Sequence, residues 1–282
     1  MMQKRFRDRW LVNLGLLAAI GLLISLTLVD KPVPVVPAKM LGDYLPESVN
    51  ELRIIRSGKE DIHFRLSGNY WHIINPYQAR AEDSLIKRLL SLSTLEVDII
   101  SEDSKTDRTN FGLLQPVATL QINQQRLHFG STQPVGKRRY IELDNIIMLI
   151  ADRHLPQLKA GSISYIDRHL LPQGNQVKSL RINDETINIE QHISQLLAWQ
   201  TIKANWISLA AKTAVQRGID VHITLADNPQ AIHYIAEKRD ADFVLTNTKT
   251  RLEYHLAMTA SDTLELPLPA RDSTPDIQSA DQ

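Results

Sequence analysis

Cysteine is absent from the 282 residues, which removes thiolate catalysis, cysteine-ligated zinc and iron–sulfur clusters. It leaves the compartment open, because a cysteine-free chain survives in oxidising and reducing spaces alike. Glycine is scarce, at 11 residues, and no Gly-x-x-x-x-Gly-Lys-Ser/Thr, Gly-x-Gly-x-x-Gly, Gly-x-Ser-x-Gly or His-Glu-x-x-His run occurs. Phosphate-cradling loops, dinucleotide turns, nucleophile elbows and zinc-protease helices are missing with them. Neither charge is in excess, 32 Lys and Arg standing against 32 Asp and Glu. A general nucleic-acid binder needs a basic surplus to displace counterions from phosphates, so no nucleic-acid partner is expected.

What is present begins with a membrane signal. Lys4, Arg5, Arg7 and Arg9 precede a stretch without charge from Trp10 to Val29. At about 1.5 Å rise per residue such a helix is roughly 30 Å long, enough to cross the hydrocarbon core. A cleaved signal peptide has an apolar core of about 7–15 residues and a small-x-small site. This run is longer and leads into Val29-Asp30-Lys31-Pro32, so it reads as an uncleaved anchor that contacts the lipid bilayer through residues 10–29. Basic residues stay on the cytoplasmic side, which sets residues 1–9 in the cytoplasm and the remainder, in a Gram-negative cell, in the periplasm.

The prolines of Lys31-Pro-Val-Pro-Val-Val-Pro37 make residues 30–44 a stiff spacer of roughly 3 Å per residue. Residues 267–282, rich in Pro, Ser, Asp and Gln, read as a disordered tail. Between them, 51–56, 61–66 and 69–74 alternate apolar and polar residues across Ser57-Gly58-Lys59 and Ser67-Gly68-Asn69, the pattern of a three-stranded antiparallel meander. Leu85, Ile86, Leu89 and Leu92 predict a helix over 80–92 that covers it. Further strands are predicted at 117–122, 127–129, 138–143 and 146–150.

The second half repeats this plan. The segment 89–100 aligns with 196–207 with four of twelve positions identical. In the same order, Leu52-Arg-Ile54 resembles Leu180-Arg-Ile182, Leu120-Gln-Ile122 resembles Val221-His-Ile223, and Leu127-His-Phe129 resembles Ile232-His-Tyr234. The expected fold is therefore α+β: a single N-terminal transmembrane helix, then two related units of antiparallel sheet with covering helices, 45–158 and 159–266.

Local chemistry is sparse. Five of the nine His (63, 72, 128, 222 and 233) fall in predicted strands, and none shows a compact ligand spacing. They read as structural or surface residues, so no metal, catalytic residue or cofactor is assigned. The paired Asp152-Arg-His154 and Asp167-Arg-His169, and a local Ser162, Asp167, His169 set, are the nearest approach to a constellation. Lys137, Arg138, Arg139 and Tyr140 form the one dense basic cluster of the exported part, a candidate partner interface. Tyr165, Trp199 and Trp206 are candidate lining for a groove between the two units.

Trp71, Pro76, Arg80-Ala81, Leu89-Leu90, Phe111-Gly112-Leu113, Pro116, Phe129-Gly130 and Arg139-Tyr140, in that order, resemble a bacterial domain-of-unknown-function family of membrane-anchored envelope proteins. The likeness spans residues 50–180. Some members are associated with ABC-type transporter or gliding-motility auxiliary components. The resemblance implies a single-pass periplasmic protein of the inner membrane and carries no catalytic residues. Without an ATP-binding motif the chain is not itself the transporter. The expectation is a non-enzymatic accessory or scaffold subunit working with other envelope membrane proteins, the alternative being a module that binds a small molecule, lipid or glycan between its units.

Overall fold

The computed structural model describes residues 18–20, 39–41, 46–134, 136–211, 218–226 and 228–267. The basic segment 1–9, the expected membrane helix 10–29, the spacer 30–44 and the tail 267–282 lie outside these, apart from helical 18–20, residues 39–41 and Pro267. Among the described residues no helix is long and apolar enough to cross a membrane.

The described body is mostly antiparallel strand, arranged as two sheets with a few short helices. The first sheet uses β1 (Lys39–Met40), β2 (Glu51–Ile55), β3 (Ile62–Ser67), β4 (Tyr70–Asn75), β5 (Ala79–Arg80), β6 (Glu96–Ser101), β7 (Ala118–Ile122), β8 (Gln125–Thr132), β9 (Arg138–Leu143) and β10 (Ile146–Ala151). Their order is β1-β6-β10-β9-β8-β7-β2-β3-β4-β5. β2, β3 and β4 form the meander that their alternation predicts, and Gly68 takes φ +60 in the two-residue turn between β3 and β4. Asp144 and Asn145 both adopt positive φ between β9 and β10, the geometry that keeps a two-residue hairpin in step with strand twist.

Helix α1 (Asp83–Leu90) lies between β5 and β6 and is shorter than the periodicity of 80–92 predicts. Arg80 is drawn into β5 beside β4, and after Leu90 the chain tightens into a 3₁₀ turn, Ser91–Thr94. Its Ile86 and Leu89 are fully buried against the sheet. On the opposite face of β9, the excursion between β6 and β7 lays Phe111 edge-on against Tyr140, ring centroids 4.9 Å apart.

Helix α2 (Leu155–Lys159) and a 3₁₀ turn, Ser162–Tyr165, lead to the second sheet. It comprises β11 (Val177–Ile182), β12 (Glu185–Ile187), β13 (Trp206–Leu209), β14 (Ile219–Leu225), β15 (Asn228–Arg239), β16 (Asp242–Asn247) and β17 (Leu252–Ala257), with α3 (Ile193–Thr201) between β12 and β13 and α4 (Ala260–Thr263) after β17. The order is β12-β11-β14-β15-β16-β17-β13. Read from its other end, this is the order β6-β10-β9-β8-β7-β2-β3 of the first sheet, with the strands met in the same sequence order and a helix before the same strand, β4 and β5 being extra to the first sheet. Along β14 burial alternates residue by residue, as a strand with one face on the core requires. One apolar core runs through both sheets: Phe64, Leu120 and Phe129 from the first, Trp199, Tyr234 and Phe243 from the second, with Tyr165 and Leu170 of the connector between them.

Candidate functional site

The connector is stitched to both sheets by its backbone. On one side Asp167 N donates to Arg80 O (2.9 Å) and Glu82 N to Tyr165 O (2.8 Å), and Ala81 bridges to Ile166. On the other, Ala204 N donates to Arg168 O (2.8 Å), and His169 bridges to Lys203. Each bond satisfies a main-chain group that burial would otherwise penalise. Behind this joint Arg80 sits over the Tyr70 ring, 3.9 Å from its centroid, with its Nε 3.3 Å from the Asp167 carboxylate. Asp167 also takes His169 Nδ1 at 2.6 Å.

Above the joint opens a cleft of about 560 Å³. Its walls are Glu82, Ser84 and Leu85 at the start of α1, Ile163, Ser164, Ile166 and Arg168 of the connector, and Lys203, Asn205, Trp206 and Ile207 leading into β13. Arg168 donates to Asn205 O at 3.0 Å, holding its guanidinium at the mouth near exposed Lys203. Trp206 is 48% exposed and stacks at 3.4 Å on His255 of β17.

β13 is the terminal strand of its sheet. Its pairing with β17 places Trp206 opposite His255 and Ser208 opposite Glu253, and Ala210 N continues the ladder to Arg251 O. Alternate residues of an antiparallel strand bond to one neighbour. Ile207 and Leu209 therefore turn their backbone groups outward, where no strand among the described residues pairs with them.

Of the three groove residues expected from sequence, only Trp206 lines the cleft. Tyr165 and Trp199 are 1% and 0% exposed, and both belong to the core. Tyr165 packs edge-on to Phe64 and donates to Gln157 O at 2.6 Å, its phenol held neutral by burial. Large flat side chains at the meeting of two sheets fill volume that no ligand can share.

The basic cluster is also corrected. Arg139 is 5% exposed. It donates through Nε and a terminal amine to both oxygens of Asp152, each at 2.8 Å, and through the rest of its fork to Thr132 and the Gly130 carbonyl. Arg138 is paired with Asp98 and Leu149 O, and Tyr140 is packed on Phe111. Only Lys137, in a positive-φ turn, stands free of such packing. The four residues do not form one outward-facing grip, because Arg139 spends its fork on Asp152, Thr132 and Gly130 and cannot also take a partner's carboxylate.

Several of the residues that carry the family resemblance gather at two places. At the joint, Ala81 N donates to Trp71 O at 2.8 Å, beside Arg80. In the first sheet, Gly112 takes φ +66, and a Cβ on Gly130 would stand 2.2 Å from Phe111 O. Phe111, Gly130, Arg139 and Tyr140 thus close one packed knot. The sequence model of a domain of unknown function, DUF4340, matches residues 71–221, more than half of the chain. The chain belongs to the DUF4340 family. The matched DUF4340 segment starts in β4, crosses the joint and ends in β14, so it holds both knots and the cleft. None of the curated proteins and no solved structure matches the chain.

Two serine–histidine–aspartate groupings differ in what their hydrogen bonds allow. His169 is bound to Asp167, and no hydrogen bond joins either to Ser162 among the described residues. On the second sheet Ser208 Oγ lies 2.9 Å from His255 Nε2, and His255 Nδ1 lies 3.2 Å from Asp242. The Ser208 hydroxyl, however, donates to Glu253 at 2.7 Å. Histidine must then donate to serine, the reverse of what a nucleophile needs. Glu253, its carboxyl lowered despite burial by Ser208 and Arg239, anchors this network as a carboxylate.

The repeated Asp-Arg-His pattern divides likewise. Asp152 is spent on Arg139, whereas His154 is pushed toward its neutral form by burial and then by Arg153 and Arg88. One group missed from sequence is brought together across the β14–β15 hairpin: Asp220, His222 and His233.

Proposed function

We propose that the chain is a non-enzymatic accessory subunit of an envelope complex, tethered to the inner membrane by residues 10–29 with its two-sheet body in the periplasm. It works by holding an extended segment of another envelope protein along the outer edge of β13. The observation that carries this reading is a short edge with no charge, proline or bulge along it. Sheet proteins guard terminal strands with charge, proline or bulges against pairing. β13 instead presents Trp206 and Leu209, 48% and 46% exposed, beside outward backbone groups and the cleft. Strand addition takes affinity from main-chain bonds and specificity from such flanking side chains. Anchoring in a membrane confines both partners to a thin layer, so a weak contact suffices. The family resemblance makes a transport complex the first place to look for that partner.

A photo-crosslinking residue at Leu209 of the full-length chain in native membranes should trap one envelope protein, and Trp206→Ala should reduce the adduct. Recovery of the monomer alone, under conditions that capture known complexes, refutes the reading. A C-terminal reporter active only in the cytosol refutes the topology.

The alternative, a small anionic ligand in the cleft, draws on Arg168 and Lys203 at its mouth. Native mass spectrometry of the purified chain, searching for a co-purified molecule, separates the two.

A further inference from the structure

We propose that Asp220, His222 and His233 form a binding site for a borderline divalent metal ion, of the zinc or copper class, on the outer face of the second sheet. Antiparallel register sets His222 of β14 directly opposite His233 of β15. Asp220, two residues before His222, falls on the same face, because successive side chains of a strand alternate. The imidazoles lie face to face, centroids 4.1 Å apart and 9° from parallel. His233 Nε2 is 2.7 Å from Asp220 Oδ1. One ligand atom from each of the three lies within 4.8 Å of the others. Ligands around a tetrahedral ion with bonds of about 2.0–2.1 Å are separated by roughly 3.3 Å, a spacing that modest side-chain rotations reach.

The donor set decides the class. Two imidazole nitrogens and one carboxylate oxygen suit zinc, copper or nickel, whereas calcium and magnesium take oxygen shells. All three side chains are partly exposed, those of His233 and Asp220 by 31% and 50%, so an ion has access from solvent and water can complete its shell. The ionic surroundings are mixed. His222 lies between His233 on one side and Arg181 of β11 on the other. Burial, His233 and Arg181 all push its imidazole toward the neutral form, against Asp220. Neutral imidazole is the form that ligates, and Asp220 offsets part of the repulsion between Arg181 and an incoming cation.

The test is titration of Zn²⁺ into the full-length protein in mild detergent, followed by calorimetry, with Co²⁺ absorption reporting coordination. One ion per chain is expected, with d–d bands in the range for four-coordinate cobalt. His222→Gln and His233→Gln should each weaken Zn²⁺ binding by about tenfold or more, while His72→Gln, remote on β4, leaves it unchanged. Melting curves without metal establish that each variant is folded. Absence of stoichiometric binding by the unaltered chain, or binding indifferent to both folded hairpin variants, overturns the proposal. Equal loss in the His72→Gln control also overturns it, since the effect would then not belong to this hairpin.

Discussion

Replacing Arg139 by alanine tests whether the basic cluster at 137–140 is architecture or interface. The Arg139 side chain is 6% exposed and Asp152 16%. Removing one partner of a buried, hydrogen-bonded ion pair costs about 3–5 kcal/mol. Asp152 keeps Thr132 as a donor at 3.1 Å and some access to water, which argues for the lower end, about 3 kcal/mol. At roughly 2–4 °C per kcal/mol for a body of this size, the melting temperature should fall by about 6–12 °C. Replacing both partners with apolar residues of similar volume, as in Arg139→Met with Asp152→Leu, should restore most of it. The pH dependence gives a second reading. Hydrogen bonds from Arg139 hold the Asp152 carboxyl below its ordinary 3.8. The folded state therefore binds that proton more weakly than the unfolded chain. This contribution is complete above pH 3.8 and drains away as pH falls through the lower, folded value. The gap between Arg139→Ala and the unaltered protein, measured by chemical denaturation, should be full at pH 7 and narrow below that point. A variant within about 0.5 kcal/mol of the unaltered protein, or a gap indifferent to acid, refutes the reasoning.

Trp199→Ala should destabilise by about 3–5 kcal/mol, as expected of a fully buried aromatic, and Trp199→Phe by distinctly less, because among the described residues the indole nitrogen has no hydrogen-bond partner to lose. Equal melting temperatures for the two variants would contradict the core assignment. Gly130→Ala drives a methyl group into Phe111 O and should cost about 1–3 kcal/mol of overpacking, seen in denaturant midpoint, with Phe111 repacking visible in near-ultraviolet dichroism.

Legibility in the sequence followed local alternation. The strand expected at 138–143 and its neighbour beginning at Ile146 appear as β9 and β10, because β-rich residues there flank an Asp-Asn turn with one conformation to adopt. β6 was not legible. Glu96–Ser101 follows directly on helical leucines and exposes both Ile99 and Ile100, so no period of two marks it. Trp206 is expected in the groove together with Trp199, whereas α3 ends at Thr201 and Trp206 opens an edge strand apart from it. The metal candidate needed register. Alternation along β14 places Asp220 beside His222, but which residue of β15 faces them depends on the pairing across a hairpin with a bulge between Ile223 and Leu225. Arg139 reads as exposed because charge within a run ordinarily is, and its half-buried acceptor, Asp152, lies just past the end of β10.

The strand order common to the two sheets bears on why the candidate interface is an edge. In the first sheet Ile99 of β6 faces Met148; in the second Trp206 of β13 faces His255, at the same separation along the chain in both strands. Both strands end their sheets' common order, and both carry an exposed apolar residue at this position, 37% for Ile99 and 48% for Trp206. The first copy has its edge closed at the head by β1, which pairs Met40 with Glu96. In the second copy the corresponding closure is a single bridge, His169 to Lys203, made by a connector already committed to the first sheet through Asp167 and Arg80. A connector bound on both sides cannot slide further along β13. Among the described residues no strand pairs with the edge beyond Asn205, and the cleft lies between that edge and the connector. Joining the two sheets through one short shared segment ties both to the same connector, and the strand edge that the proposed partner would extend lies beside it.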